Sequence, residues 1–236
     1  MAKRPPKASA IGVTLPPFET HQLREGLKAF LDEKVTDPVT RKPFKVGDYK
    51  FGIYAFFDYD GKPIYVGQTN EKVRTRIRRH LTNQRTDAVA MNVLDPFEVK
   101  EIQVWPLPKL QKRKSGDPAA AQILNQLEYA VFQRELRRSR FRAVLNEKEP
   151  GRTRKRAVPK LTHRGQIVSG EVVKLRSHPD VRIARRASVL ARLAQVISER
   201  QVRSGLRKTL LTQARRLAWL AKQRYNARAG LSDEED

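Results

Sequence analysis

Gly52-Ile53-Tyr54-Ala55-Phe56-Phe57 and Ile64-Tyr65-Val66-Gly67 are two apolar runs joined by the polar link Asp58-Tyr59-Asp60-Gly61-Lys62-Pro63. Aromatic and β-branched residues favour strands, and a short link holding glycine and proline favours a turn. The stretch therefore predicts a β-hairpin with one tyrosine on each strand. If register allows, the two hydroxyls meet on one face. Behind the hairpin, Val73 and Ile77 fall four apart within residues 71–82, which predicts a basic helix. Arg76 and His80 are also four apart there and share a side.

Working outward, Leu23, Leu27, Phe30 and Leu31 repeat at helical spacing, so a short amphipathic helix is expected over residues 19–31. Asp37-Pro38 and Lys42-Pro43 predict turn or loop over 36–48. Downstream, residues 97–105 read as a third strand, stopped by Pro106 and Pro108. Residues 109–116 read as a basic, flexible loop. Asp117-Pro118 opens a helix with aspartate as N-cap and proline at the first helical position. That helix carries Ile123, Leu127, Ala130 and Val131 to about Ser139, and the unit closes with Val144-Leu145-Asn146.

Composition limits the partners. The chain has 236 residues and a formal net charge of +24, from 49 Lys+Arg against 25 Asp+Glu. Self-repulsion on that scale disfavours compactness unless a polyanion offsets it, and nucleic acid is the natural one. No apolar run reaches the roughly 18 residues that a membrane span needs, and the basic start Met1-Ala2-Lys3-Arg4 has no apolar segment behind it. No membrane partner is expected. The chain holds no cysteine, so no disulfide-linked partner, thiolate zinc site or cysteine nucleophile is available. A reducing, cytoplasmic setting alongside nucleic acid fits that composition. His21, His80, His163 and His178 show no metal-ligand spacing.

Taken together, Gly52-Ile53-Tyr54, Tyr65-Val66-Gly67 and the helix bearing Arg76 and His80 resemble the layout of the GIY-YIG nucleases, with valine replacing the second isoleucine. The resemblance covers roughly residues 50–147. It implies an α/β (α+β) fold, a small sheet flanked by helices, and a divalent-metal-dependent DNA endonuclease. It implies catalytic roles for Tyr54, Tyr65, Arg76, His80, Glu128 and Asn146. Among these, Glu128 is the side-chain metal ligand, for Mg²⁺ or Mn²⁺, and Asn146 a supporting residue. By the same resemblance Tyr54 takes a proton from water, assisted by Tyr65 and His80, a role for which a phenol needs a lowered pKa. The segment between Tyr65 and Arg76 is about one residue longer than the family pattern, so Arg74 and Arg78 are alternatives for the phosphate contact. Glu128 has a plain alternative as an ion-pair partner of Arg134.

The expected division is a disordered basic arm (1–17), an N-terminal helix and loop (18–48), the catalytic unit (49–147), a basic linker (148–176), a C-terminal α-helical nucleic-acid-binding region (177–230) and an acidic tail (231–236). Between residues 152 and 228 only Glu171, Asp180 and Glu199 oppose a dense set of lysines and arginines. Phosphate contacts are expected from Arg74, Arg78, Arg79, Arg152, Arg154, Lys155, Arg156, Arg185, Arg186 and Arg192. On this reading, a chain cut after about residue 152 binds DNA weakly yet still cuts slowly. Two alternatives stay open: a catalytically inactive nucleic-acid-binding relative, and an RNA-directed nuclease. Oligomeric state is left open.

Overall fold

The computed structural model describes residues 18–82, 94–146, 148–154, 156–199, 201–202 and 204–230. The arm 1–17, residues 83–93, Lys155 and the tail 231–236 lie outside the described residues. In chain order the elements are α1 (Phe18–Asp32), β1 (Lys34–Thr36), β2 (Pro43–Lys45), β3 (Gly52–Phe57), β4 (Pro63–Thr69), α2 (Val73–Leu81), β5 (Glu101–Pro106), α3 (Pro118–Arg138), β6 (His163–Gln166), α4 (Gly170–Arg176), α5 (Pro179–Glu199) and α6 (Ser204–Ala229).

The hairpin forms as its residues dictate. β3 pairs antiparallel with β4, and Gly61 takes the left-handed conformation (φ 67°) in the turn between them. β5 pairs on the other side of β3, giving a four-stranded antiparallel sheet of order β4-β3-β5-β6. All six residues of β3 are buried, as a central strand covered on both faces requires. Alternation sorts them: Tyr54 and Phe56 join one core with Ile102 and Val104, whereas Ile53, Ala55 and Phe57 join a second with Trp105. Leu124, Leu127 and Val131 of α3 fill the second core, and α1, α2 and the C-terminal helices fill the first. The expected mixed α/β class, a small sheet flanked by helices, is what the chain adopts.

Three local readings differ from the structure. Residues 34–45 hold a small β1–β2 hairpin that overlaps the loop expected over 36–48, shaped by Asp37, whose carboxylate accepts from the Val39 and Thr40 amides. The 109–116 loop is tied down, because the Lys50 amide donates to Gln111 and Ser115 exchanges hydrogen bonds with Asn70. The strand expected over 97–105 starts only at Glu101 and takes in Pro106, because Pro96–Glu98 form a tight turn that the Asp95 carboxylate caps at the Phe97 amide.

The largest difference lies beyond residue 147. The stretch read as a basic linker supplies β6, which pairs antiparallel with β5 from Glu101↔Gln166 to Val104↔His163. Ile167, Val168 and Val172 follow it into the first core, which Leu193, Ile197 and Leu206 of α5 and α6 share with Tyr54 and Phe56. α1 lies close on this strand because residue 26 is glycine: a β-carbon there would stand 2.1 Å from the Ile167 carbonyl oxygen.

Charge completes the docking. Arg186 is 1 % exposed and donates to Glu98 at 2.6 Å and Asp58 at 3.3 Å; Arg216 reaches the same two carboxylates, each at 3.1 Å. Burial pushes the Glu98 carboxyl up, but Arg216 and Arg186 outweigh it and hold the group below its ordinary range. Around this core Arg182 pairs with Asp60, Arg185 with Asp95 and Arg176 with Glu19. A buried charge is tolerable only when paired and hydrogen-bonded; except for Glu19 in the first turn of α1, the acids these arginines satisfy lie at the turn ends of β3 and β5. Arg186 therefore cannot serve as the expected phosphate contact, and Arg185 is committed to Asp95 and to the Phe97 ring.

Candidate active site

Register brings the two tyrosines to one face. Tyr54 lies opposite Gly67, and Tyr65 opposite Phe56, so the two phenols are diagonal neighbours with ring centroids 6.2 Å apart. Gly67 is required by this placement: a β-carbon on it would lie 2.5 Å from the Tyr54 hydroxyl oxygen and 2.6 Å from the ring carbon bearing it. Tyr54 is fully buried and Tyr65 partly so.

Helix α2 seats itself through Val73, Ile77 and Leu81, which enter the first core. With that stripe inward, Arg76 and His80 flank it on the side of the tyrosines. His80 Nε2 stands 2.9 Å from the Tyr54 hydroxyl, and its ring centroid is 5.2 Å from that of Tyr65. Arg76 is close enough to pull the Tyr54 pKa downward, and its own Nε is buried with no hydrogen-bond partner among the described residues. The long link before α2 still leaves Arg76 beside Tyr54. Arg74 points elsewhere, to Asp32 at 2.7 Å and Asp48 at 3.4 Å, so it is not a substitute for Arg76. Arg78 is exposed.

Helix α3 starts where Asp117 accepts from the Ala120 amide, and its apolar stripe lies on the second core. Glu128 stands at the flank of that stripe, beside a groove of about 940 Å³ that Gln68, Asn125, Arg152 and Arg154 also line. A smaller recess of about 250 Å³, lined by Arg76, Asn70 and Glu71, shares Gln68, Ala121 and Asn125 with it. Burial raises the Glu128 carboxyl from 4.5 to about 7, with Arg76 opposing. No hydrogen bond or ion pair joins Glu128 to a described residue. The plain alternative fails because Arg134 is held by Glu135 at 2.7 Å and lies over Trp105. Glu135, which the sequence sets among polar residues, is itself fully buried.

Asn146 acts on the sheet edge. Its Nδ2 donates to the Val66 carbonyl at 2.6 Å and its Oδ1 accepts from the Val66 amide at 3.1 Å. One side chain thus replaces a missing neighbour strand at the residue between Tyr65 and Gly67.

Residues 50–141 match the GIY-YIG catalytic domain. Comparison with curated proteins and with solved structures finds no match. The GIY-YIG match contains Tyr54, Tyr65, Arg76, His80 and Glu128, and stops before Asn146. It also stops before β6 and the C-terminal helices, although these complete the sheet and the first core.

The Tyr54 pKa runs opposite to expectation. Burial, reinforced by Tyr65, drives it well above 10, and Arg76 only partly counters the rise. A phenolate at Tyr54 is therefore disfavoured in this site. The expected phosphate contacts divide: Arg79 pairs with Glu71 and Arg156 with Gln126, while Arg78, Arg152, Arg154 and Arg192 are exposed. Sequence reading missed Gln68, whose Nε2 donates to Asn125 Oδ1 at 2.7 Å across the groove. Its only signal was a polar residue directly after Gly67 on an otherwise apolar strand.

No helix among the described residues is long and apolar enough to cross a membrane.

Proposed function

We propose that the protein is a divalent-metal-dependent endonuclease that hydrolyses DNA phosphodiester bonds at this site. The observation that carries the reading is convergence: two phenols, an imidazole and a half-buried guanidinium lie beside a carboxylate that faces an open groove.

The metal fit rests on Glu128. Among the described residues no three His, Cys, Asp or Glu side chains form a cage, so any cation is held by few protein ligands. A half-buried, otherwise unpartnered carboxylate suits a hard cation such as Mg²⁺ or Mn²⁺, with water and phosphate oxygens completing the shell. When bound, the cation supplies Lewis acidity at the phosphate and the leaving oxygen.

The side chains supply the rest. The Arg76 guanidinium, with its unsatisfied Nε, holds the scissile phosphate and neutralises charge that builds on its oxygens. Tyr54 works as a relay: water gives a proton to the Tyr54 oxygen as the Tyr54 proton passes to His80 Nε2. The hydroxide so formed attacks phosphorus, and the P–O bond to the leaving strand breaks with its electron pair on the leaving oxygen, which takes a proton from solvent as His80 returns its own to the bulk. No free phenolate accumulates, which reconciles the high Tyr54 pKa with a proton-transfer role. Tyr65 orders the His80 and Tyr54 rings, and Asn146 holds the strand between them. Arg78, Arg152, Arg154 and Arg192 contribute phosphate contacts.

The deciding experiment is plasmid cleavage with Mg²⁺ or Mn²⁺, wild type against Glu128→Gln, with RNA digested alongside. Metal-dependent DNA cutting lost in the variant is expected. DNA binding without cutting would identify an inactive relative, and preferential cutting of RNA would reassign the substrate.

A further inference from the structure

Helix α3 is an anomaly in so basic a chain. From residue 118 to residue 133 it contains no lysine or arginine. Its groove-facing side presents neutral amides, Gln122, Asn125 and Gln126, at positions i, i+3 and i+4. Gln122 and Asn125 are exposed, so burial does not explain their neutrality. The opposite wall is the irregular segment 148–154, which carries Lys148, Arg152 and Arg154 and is tethered to α6 through Glu149–Lys208. Apart from Glu149, which Lys208 pairs, the charges on one wall are cations, while the α3 wall presents amides beside Glu128.

We propose that Gln122, Asn125 and Gln126 are specificity-determining residues that read the edges of DNA bases beside the cut, while Arg152 and Arg154 hold the phosphates. The proposal rests on the endonuclease reading above and adds which atoms of the substrate each wall recognises. Phosphates are matched by cations and carry no sequence information; base edges present paired donors and acceptors, which a carboxamide matches in kind.

Two further observations agree. Existing hydrogen bonds use only part of the amides' capacity: Asn125 Oδ1 accepts from Gln68, and Gln126 Oε1 accepts from Arg156. Those contacts orient the side chains and leave both NH₂ groups as donors. The Gln68 Oε1 is buried in the same groove with no partner among the described residues, an acceptor still awaiting a donor. Spacing sets the range of the readout. Residues 122 to 126 span about 6 Å of helix axis, against about 3.4 Å per nucleotide step, so the amides reach about two adjacent bases. Asn125 lies three residues before Glu128 on the same side, which places those bases within about two nucleotides of the scissile phosphate.

The test is to cleave a random-sequence DNA library and sequence the product ends, for wild type and for Gln122→Ala, Asn125→Ala, Gln126→Ala and Arg152→Ala. Wild type should show a base preference within about two positions on one side of the cut. The amide variants should weaken that preference about fivefold or more at one position each, with an unchanged salt dependence of binding. Arg152→Ala should keep the preference and reduce the salt slope by about one. A flat wild-type profile, amide variants that keep the wild-type profile, or a preference altered only by Arg152→Ala would each overturn the proposal. Should wild type not cut at all, the endonuclease reading fails by itself. Sequencing the DNA that the same proteins retain from the library then decides this inference: enrichment lost in the amide variants supports it, and enrichment unchanged or absent overturns it.

Discussion

The backbone of Gly67 passes against the Tyr54 hydroxyl, so closely that a β-carbon would lie 2.5 Å from that oxygen. The second glycine of the sequence signature is thus a steric companion of the first tyrosine. Its absent side chain is what lets the phenol reach His80.

Gly67→Ala should therefore displace Tyr54 and break its contact with His80. Overpacking at a filled site costs about 1–3 kcal/mol, and the loss of kcat should exceed what that modest destabilisation explains. Thermal melting beside steady-state cleavage separates the two effects. Wild-type kcat in a folded Gly67→Ala protein would remove the steric argument.

Asn146→Ala leaves the Val66 amide and carbonyl without their partner and frees the edge strand that carries Tyr65. A loss of about 1–3 kcal/mol is expected, or roughly 2–12 °C in Tm. Asn146→Asp should not rescue it, because a carboxylate cannot donate to the Val66 carbonyl. Equal melting of the Asn and Asp proteins at pH 8 would contradict this.

Glu128 ties stability to pH. Its folded-state pKa is raised from 4.5 to about 7. Between those values the native chain holds a proton that the unfolded chain has lost, so stability falls as pH rises through the window. Without metal at pH 8, Glu128→Gln should gain about 1–2 kcal/mol, or about 2–8 °C in Tm, and nothing at pH 4. Added Mg²⁺ or Mn²⁺ should stabilise wild type at pH 8 and not the variant. A metal-induced Tm rise of equal size in both would place the cation elsewhere.

The C-terminal helices should prove inseparable from the catalytic unit. A chain ending at residue 151 loses β6 and six core residues, and strands Asp58 and Glu98 as buried acids. Circular dichroism and gel filtration should find it unfolded or aggregated, in contrast to the slow cutting that sequence alone predicts. Arg186→Met should cost about 3–5 kcal/mol while leaving the salt slope of DNA binding unchanged. A shallower slope with an unchanged Tm would return Arg186 to the phosphate-contact role.

The clustering of Tyr54, Tyr65, Arg76 and His80 was legible because its information is local. Alternation over residues 52–57 and 64–67 specifies a hairpin, and the four-residue spacing of Val73 and Ile77 turns Arg76 and His80 to one side. Glu128 and Asn146 were reached through family resemblance, and the reason for each became visible only in the fold. For Glu128 it is an uncommitted carboxylate beside a groove, and for Asn146 a two-point grip on Val66.

What the chain order alone determined was which residues are apolar at strand and helix periods, and hence the hairpin, α2, α3 and the strongly basic character. Only tertiary structure decided where the charges went. Arg186 and Arg216 look like phosphate ligands as letters, but they meet Asp58 and Glu98 more than 80 positions away, in a pairing that no local period encodes. Direction of the Tyr54 pKa was settled the same way, since desolvation depends on everything packed around a hydroxyl and not on its neighbours in sequence.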